Sequence, residues 1–304
     1  MEKIIEVSGF KKSYGDVKAV DGIDFYAEQG KLFAFLGPNG AGKSTTIDIL
    51  CTLLEADSGT AEIDGHTVGK EDAEIRSAIG VVFQDNMLDA LLTVKENLLT
   101  RGSFYRASKK ELVRSVEKAM KVTGISELAG RRYGKLSGGQ KRRADIARAL
   151  VHTPKILFLD EPTTGLDPQT RKNIWDTVRG LQLETGMTVF LTTHYMEEAA
   201  EADYVIVIDG GKIAAKGTPA ELKARYSSDR LVMRSDNPKG LEEVLTRSGF
   251  SFKRENGTVT AALENTLQAI PILESCGEFV NHIEVLSGSM DDVFIGITGK
   301  EIRE

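Results

Sequence analysis

A glycine-rich run near the start of the chain constrains the fold more than any other stretch. It reads Gly37-Pro38-Asn39-Gly40-Ala41-Gly42-Lys43-Ser44-Thr45, with the spacing G-x-x-x-x-G-K-S. Loops of this type place backbone N–H groups around phosphate oxygens at the start of a helix, with the lysine on the β- and γ-phosphates and the serine hydroxyl on Mg²⁺. The apolar run at residues 32–36 and the helical spacing of Ile47, Leu50 and Leu54 predict the strand and the helix that flank such a loop.

Polar side chains follow three more apolar runs of the chain. They are Asp160 and Glu161 after residues 156–159, Gln84 after residues 79–83, and His194 after residues 188–193. Beside a phosphate-binding loop, Asp160 would hold Mg²⁺ and Glu161 would orient and deprotonate the attacking water. Gln84 fits a ligand of Mg²⁺ or water but also a surface glutamine. His194 fits a donor to the γ-phosphate but also a structural histidine.

Between about residues 86 and 152 the pattern becomes helical, and it contains the pentapeptide Leu136-Ser137-Gly138-Gly139-Gln140. Ser137 before two glycines at a helix start is either an ordinary N-cap or a second anion site. The basic run at residues 141–143 is most simply a solvated helix face. Asp167 precedes a proline and is expected to cap another helix. Tyr14, at a strand end, is either an adenine-stacking or a half-buried aromatic.

Composition and charge exclude several classes of protein. In 304 residues no apolar run approaches the roughly 18 residues of a membrane-spanning helix. Cys51 and Cys276 lie far apart in the sequence and are expected to be reduced thiols. The net charge is −6, and from Ser227 onward 8 Lys and Arg stand against 13 Asp and Glu. An acidic tail argues against a nucleic-acid partner.

Taken together, these motifs resemble the nucleotide-binding subunits of ATP-binding-cassette (ABC) transporters, over residues 1 to about 226. The family's signatures are present in order: Tyr14 as the adenine-stacking residue, Gly37 to Thr45 as Walker A, Gln84 as the Q-loop, Leu136 to Gln140 as the LSGGQ signature, Ile156 to Asp160 as Walker B, Glu161 as the catalytic glutamate, Gly165-Leu166-Asp167 as the D-loop, and His194 as the switch histidine. The resemblance implies an α/β P-loop NTPase fold with a RecA-like core, an antiparallel β subdomain and a helical insertion.

The resemblance also implies a Mg²⁺-dependent ATPase that works as a head-to-tail homodimer with two ATP molecules at the interface. The implied catalytic residues are Lys43, Glu161 and His194, the implied Mg²⁺ ligands are Ser44, Gln84 and Asp160, and the implied contacts to ATP on the opposite subunit are Ser137, Gly138, Gly139, Gln140 and Asp167. Such a dimer would power a transmembrane permease as a peripheral subunit on the cytoplasmic face of the cell membrane.

Residues 227–304 are predicted to form an accessory domain with a dimerisation or regulatory role. Strand and helix patterns at residues 231–233, 238–248, 250–252, 258–261, 266–276 and 279–286 follow the order β-α-β-β-α-β. This order is typical of a small ferredoxin-like α+β domain. The run from Gly288 to Gly299 resembles the tail of daunorubicin-resistance-type exporter ATPases, which serve permeases of the ABC-2 class.

The leading hypothesis is therefore an ATPase subunit of an ABC-2 type exporter for a drug, lipid or polysaccharide-like substrate. The alternative is a non-transport ABC ATPase acting on a soluble macromolecular complex. The chain has one Walker A motif and no sustained heptad run, which disfavours ribosome-bound and DNA-repair members of the family. Intact Lys43, Glu161 and His194 disfavour an inactive adaptor.

Overall fold

A computed structural model describes residues 2–105 and 108–299. The chain forms two compact units, and the division falls between Thr218 and Pro219. The helices and strands of the first unit are β1 (Lys3–Tyr14), β2 (Val17–Glu28), β3 (Leu32–Leu36), α1 (Lys43–Leu50), β4 (Ser58–Ile63), β5 (His66–Thr67), α2 (Asp72–Ala78), β6 (Ile79–Val82), α3 (Val94–Gly102), α4 (Lys109–Val122), α5 (Gly138–Leu150), β7 (Ile156–Asp160), α6 (Pro168–Thr185), β8 (Thr188–Thr193), α7 (Met196–Ala200), β9 (Tyr204–Asp209) and β10 (Lys212–Gly217).

A six-stranded sheet with the order β10-β9-β3-β8-β7-β6 forms the centre of the first unit. Five neighbouring strands, from β9 to β6, run parallel, and β10 is antiparallel to β9. Every residue of β3, β7 and β8 is buried, as expected for parallel strands covered on both faces. Because these strands run in one direction, the polar residues that follow them meet at one edge of the sheet.

A second, antiparallel sheet with the order β2-β1-β4-β5 shares its core with the parallel sheet. Phe25 of β2 lies between the two, with its ring centroid 5.9 Å from that of Phe33, 5.6 Å from that of Phe35 and 6.0 Å from that of Phe190. Aromatic rings at these distances add specific geometry to a large apolar area. The cluster fixes the antiparallel sheet against the strand that leads into the phosphate-binding loop.

The described part of residues 86–152 is built from helices α3, α4 and α5 and short 3₁₀ turns. Thr93 and Ser108 start α3 and α4 with capping boxes, in which the third helical residue, Glu96 or Glu111, bonds back to the cap. Buried Val116, Ala119 and Met120 lie on one face of α4, as their helical spacing predicts.

The second unit is a small sheet with helices. Its helices and strands are α8 (Pro219–Tyr226), β11 (Asp229–Arg234), α9 (Pro238–Arg247), β12 (Phe252–Glu255), β13 (Thr258–Leu263), α10 (Ala269–Cys276), β14 (His282–Leu286) and α11 (Met290–Thr298). The sheet order is β12-β13-β11-β14, and all pairs are antiparallel. From β11 to β14 this is the β-α-β-β-α-β arrangement of a ferredoxin-like domain.

The boundary between the units lies eight residues before the position expected from sequence, because α8 groups with the second unit. Helix α8 packs closely on α11: a Cβ added at Gly296 would lie 2.6 Å from the carbonyl oxygen of Tyr226. Pro271 is tolerated because it lies in the first turn of α10, where its missing N–H has no intrahelical partner to lose. No helix in the described ranges is both long and apolar enough to cross a membrane.

Candidate functional site

A cleft of about 550 Å³ opens where the carboxyl ends of the parallel strands meet the phosphate-binding loop. It brings together residues from six separate segments of the first unit. The lining residues are Tyr14, Ala19, Asn39, Gly40, Gly42, Lys43, Ser44, Thr45, Gln84, Glu161, Thr164 and His194. Segments that are far apart in sequence thus converge on the loop. Gly37, Pro38 and Ala41 belong to the same loop, between β3 and α1.

Two glycines of the loop are required by the backbone around them. Gly42 caps α1 in the left-handed conformation, with φ +102°, and a Cβ there would lie 2.1 Å from the carbonyl oxygen of Ala19. A Cβ at Gly37 would lie 2.4 Å from the carbonyl oxygen of Ile208. A side chain at either position would clash with these carbonyl oxygens and displace the loop. The loop therefore presents the free N–H groups of the first turn of α1 to the cleft, as an anion site requires.

Lys43 lies buried across this loop. Its Nζ donates to the carbonyl oxygens of Gly37 at 2.8 Å and Pro38 at 3.1 Å, and it lies 3.1 Å from Glu161 Oε1. The ammonium therefore bridges the phosphate-binding loop and the carboxylate after β7. Because a lysine charge is compact and its stem flexible, a phosphate group entering the cleft can compete for it.

Three oxygen-bearing side chains form a polar group beside Lys43. Ser44 Oγ donates to Asp160 Oδ1 at 3.2 Å, and Thr192 Oγ1 donates to the same carboxylate oxygen. Gln84 lines the same cleft. No cluster of three or more His, Cys, Asp or Glu suited to a metal occurs in the described ranges. A hydroxyl, a carboxylate and an amide are hard donors, which suit Mg²⁺ when phosphates and water complete its shell.

Glu161 is fixed in the cleft through both its side chain and its backbone. Thr164 Oγ1 donates to its Oε2 at 3.2 Å, and its own N–H donates to the carbonyl oxygen and hydroxyl of Thr192 at 3.2 and 3.1 Å. Burial works to raise the pKa of the Glu161 carboxyl, but the charge and hydrogen bond of Lys43 and the charge of His194 outweigh it, so the pKa lies below its usual 4.5. Glu161 is therefore a carboxylate at neutral pH.

His194 faces the same carboxylate from the neighbouring strand. Its buried Nδ1 lies 3.3 Å from Glu161 Oε2 and has no hydrogen bond to any described residue. The N–H of Tyr195 donates to Thr193 Oγ1 at 2.9 Å, which fixes the turn after β8. The imidazole can therefore accept or donate a hydrogen bond to a group that enters the cleft.

The pentapeptide and the capping aspartate lie outside the cleft. Ser137 caps α5 with a capping box that includes Gln140, and Asp167 caps α6 through the N–H of Thr170 at 3.0 Å. The two helix starts touch each other, since a Cβ at Gly139 would lie 2.2 Å from Thr170 Cγ2. The second anion site predicted from sequence therefore has no access to the phosphate-binding loop of its own chain through this cleft.

Comparison with known proteins decides the family. The ABC transporter family model matches residues 20–164. The daunorubicin/doxorubicin resistance ATP-binding protein DrrA of Streptomyces peucetius is 39% identical over 312 residues, which cover 98% of this chain and 93% of that protein. This chain belongs to the ABC transporter family. The linearmycin resistance ATP-binding protein LnrL of Bacillus subtilis is 34% identical over 314 residues, which cover 99% of this chain and 100% of that protein.

Solved ABC cassettes share the fold of most of the chain. The ATP-binding cassette MJ1267 in its ADP conformation has a TM-score of 0.66 and 31% identity, covering 72% of this chain and 92% of that one. The dimeric cassette MJ0796 bound to ADP and Pi has a TM-score of 0.65 and 30% identity, covering 71% and 98%. The chain is therefore an ATP-hydrolysing subunit of the kind that powers membrane exporters, and its larger unit is a P-loop cassette.

Two buried polar residues of the ABC cassette lie outside the sequence motifs. Arg142 belongs to the run 141–143 that was expected to be solvated; for Arg142 this expectation is wrong, because only 5% of it is exposed and its guanidinium bonds backbone carbonyls. Glu198 is also buried, and it accepts hydrogen bonds from Thr163 and Thr193. No sequence motif marks Glu198, because the adjacent Glu197 is the same residue type on the same short helix, α7.

Proposed function

We propose that this chain is the ATPase subunit of an ABC-2 type exporter and that two copies act head to tail. The observation that carries the proposal is the convergence of Lys43, Ser44, Asp160, Glu161 and His194 on one cleft. Relatives named for daunorubicin resistance, linearmycin resistance and Nod factor export support the exporter class. Because the permease would bind the substrate, this chain does not define it. A drug-like or lipid-like substrate is proposed from the names of the relatives alone.

ATP hydrolysis follows from the contacts in the cleft. The γ-phosphate would draw Lys43 away from Glu161, and the carboxylate would then accept a proton from water. The water oxygen forms a bond to the γ-phosphorus as the bond to the bridging oxygen of ADP breaks. His194 would donate a hydrogen bond to the departing phosphate. Ser44, Asp160 and Gln84 would hold Mg²⁺, which neutralises charge on the phosphates.

The head-to-tail homodimer is proposed from the position of the signature residues. Ser137, Gly138, Gly139 and Gln140 open a helix outside their own cleft, and Asp167 opens the adjoining one. In a second copy facing the cleft, these N–H groups and hydroxyls would reach the γ-phosphate from the other side. Tyr14 lies at the rim, half exposed, where an adenine ring can stack on it.

A membrane partner is supported by apolar side chains on the helical segment. Met87, Leu91, Phe104 and Tyr105 are all exposed there. Contiguous exposed apolar patches mark protein–protein contact sites, and we propose that these side chains contribute to one. We place the chain on the cytoplasmic face of the membrane as a peripheral subunit of the permease. The second unit is proposed as a dimerisation or regulatory domain, and nucleic acid is not expected as a partner.

Glu161→Gln tests the ATPase assignment. Turnover should fall by about 10²–10⁴-fold, because the general base is lost while its shape is kept. ATP should still bind, and the variant should form a stable dimer on addition of ATP and Mg²⁺, which light scattering after gel filtration measures. Glu197→Gln is the matched control, since Glu197 is exposed on α7. Near-normal turnover in Glu161→Gln contradicts the role of Glu161.

Co-purification from detergent-solubilised host membranes tests the transport assignment. A tagged full chain should retain a multispanning membrane protein in near-equal amount. Recovery of ribosomes, nucleic acid or soluble proteins alone would refute the exporter proposal and leave the ATPase assignment intact.

A further inference from the structure

Strand β6 lies at the end of the central sheet, and β7 is its strand neighbour among the described residues. Its outward carbonyl oxygens bond to side chains instead of a further strand. His152 Nε2 lies 2.9 Å from the oxygen of Ile79, and Arg148 Nη2 donates to the oxygen of Val81 at 2.6 Å. Both side chains come from α5 or the turn after it. The two side chains therefore supply the hydrogen-bond partners that a neighbouring strand gives to backbone carbonyls inside a sheet.

Arg142, also on α5, bonds backbone carbonyls that lie beyond the end of β6. Its Nη1 donates to the oxygen of Phe83 at 2.5 Å, and its Nη2 donates to the oxygens of Gln84 at 3.0 Å and Glu161 at 3.5 Å. One buried guanidinium therefore joins the backbone of the Q-loop to the backbone of the catalytic-glutamate position. A lysine has one donor nitrogen and cannot reproduce the planar fork with which Arg142 reaches these carbonyls from two nitrogens.

The backbone of Glu161 needs such support. Its φ of +44° is in the left-handed region, which residues with a side chain rarely adopt. Its N–H is held by Thr192 of β8, and its carbonyl oxygen accepts from the N–H of Thr164 at 3.3 Å and from Arg142 at 3.5 Å. A strained backbone persists only where the surrounding structure holds it from more than one side. Loss of Arg142 would remove the bond that ties this carbonyl to α5 and leave it the local bond from Thr164.

We propose that Arg142 is a positioning residue for ATP hydrolysis, which ties the Q-loop to Glu161 through their main-chain carbonyls. The proposal rests on the proposed role of Glu161 as the base. Arg142 also lies on the helix that Ser137 begins, so a shift of α5 moves the Q-loop and the base together. Any displacement of the Q-loop by a membrane partner is then transmitted to Glu161 without a contact to the nucleotide.

The test compares Arg142 with Arg148 in the full chain. Arg148 is the matched control because it lies on the same helix and bonds a backbone carbonyl of β6, at Val81, but has no hydrogen bond to Gln84 or Glu161 among the described residues. Each arginine is changed to glutamine and, separately, to lysine. Steady-state ATPase activity gives kcat and KM, titration with a fluorescent ATP analogue gives Kd and the active fraction, and thermal unfolding gives Tm.

Arg142→Gln should lower kcat per active molecule by about 10- to 100-fold, because a shift of about 1 Å in a reacting group can cost about 100-fold. Its Kd for the analogue should stay within about threefold of wild type, since Arg142 does not line the cleft. Arg142→Lys should recover Tm more fully than kcat. Arg148→Gln should lower Tm with kcat near wild type.

Two results overturn the proposal: an unchanged kcat in Arg142→Gln, or equal losses of kcat in the Arg142 and Arg148 variants. If Arg142→Gln does not fold, the same comparison between the two lysine variants decides. Glu161→Gln, assayed in parallel, separates the two proposals. If it is inactive while Arg142→Gln is fully active, the role of Arg142 fails; if it is fully active, the role of Glu161 as base fails.

Discussion

The buried pair of Lys43 and Glu161 should make the nucleotide-free cassette respond to substitution in a non-additive way. Lys43 Nζ lies 3.1 Å from Glu161 Oε1, and only 4% and 9% of the two side chains are exposed. Lys43→Met keeps the length of the side chain but leaves a buried carboxylate without its main counter-charge. Glu161→Gln removes the negative charge but leaves Lys43 its two carbonyl acceptors, at Gly37 and Pro38.

These contacts set the expected magnitudes. Lys43→Met should lower the free energy of unfolding by about 3 kcal/mol, near the lower end for a broken buried pair, because Thr164 and His194 still contact the carboxylate. Glu161→Gln should cost about 1 kcal/mol, the net value of one hydrogen bond. The double variant should cost about 2 kcal/mol in place of the additive 4, which is a coupling free energy of about 2 kcal/mol.

Urea unfolding in EDTA without nucleotide measures this coupling. Trp175 is the one tryptophan of the chain and lies in α6, so its fluorescence reports on the unit that holds the pair. A coupling below about 0.5 kcal/mol would refute the idea that Lys43 and Glu161 interact strongly in the free cassette.

The pH dependence gives a second check with a definite sign. Because the folded pKa of the Glu161 carboxyl lies below 4.5, its contribution to stability is present above pH 4.5 and is lost as pH falls through the lowered value. In Lys43→Met the positive charge that offsets burial is lost, so the pKa of the Glu161 carboxyl should rise. The difference in unfolding free energy between wild type and Lys43→Met should therefore shrink as pH is lowered from neutral toward 4.5.

Two further pairs of substitutions test the proposed adenine stacking on Tyr14 and the close packing of Gly139 on Thr170. Tyr14→Ala should weaken ATP binding by about 1–3 kcal/mol while Tyr14→Trp keeps it, as calorimetry can show; equal affinities for all three would exclude stacking. Gly139→Ala should lower Tm because its Cβ would lie 2.2 Å from Thr170 Cγ2, and Thr170→Ser in the same chain should restore it. If the serine gives no recovery, the clash does not explain the loss.

Local motifs account for the part of the site that could be predicted from sequence. The phosphate-binding loop carries its own strand, glycines and helix start, and Glu161 and His194 follow apolar runs that had to be neighbouring strands. The end of α1 was harder to predict, because Leu53 and Leu54 continue its apolar spacing. The helix stops at Leu50, and Thr52 adopts a φ of +61°.

Burial of polar side chains could not be predicted, because it depends on segments that are distant in sequence. Arg142 looks like its neighbours Lys141 and Arg143 until α5 is packed against the Q-loop. Glu197 and Glu198 are adjacent glutamates, yet the first is exposed and the second is buried between two threonines. Only the tertiary contacts of α7 distinguish them.

The side chains that cover β6 have a consequence for assembly. An uncovered edge strand offers a row of backbone acceptors to any other extended chain, and sheets commonly grow or aggregate through it. Here Arg142, Arg148 and His152 already bond the acceptors on that edge. The central sheet is therefore closed to strand addition from this side. A second copy of the cassette would therefore have to associate with this one by contacts other than a continuous sheet across β6.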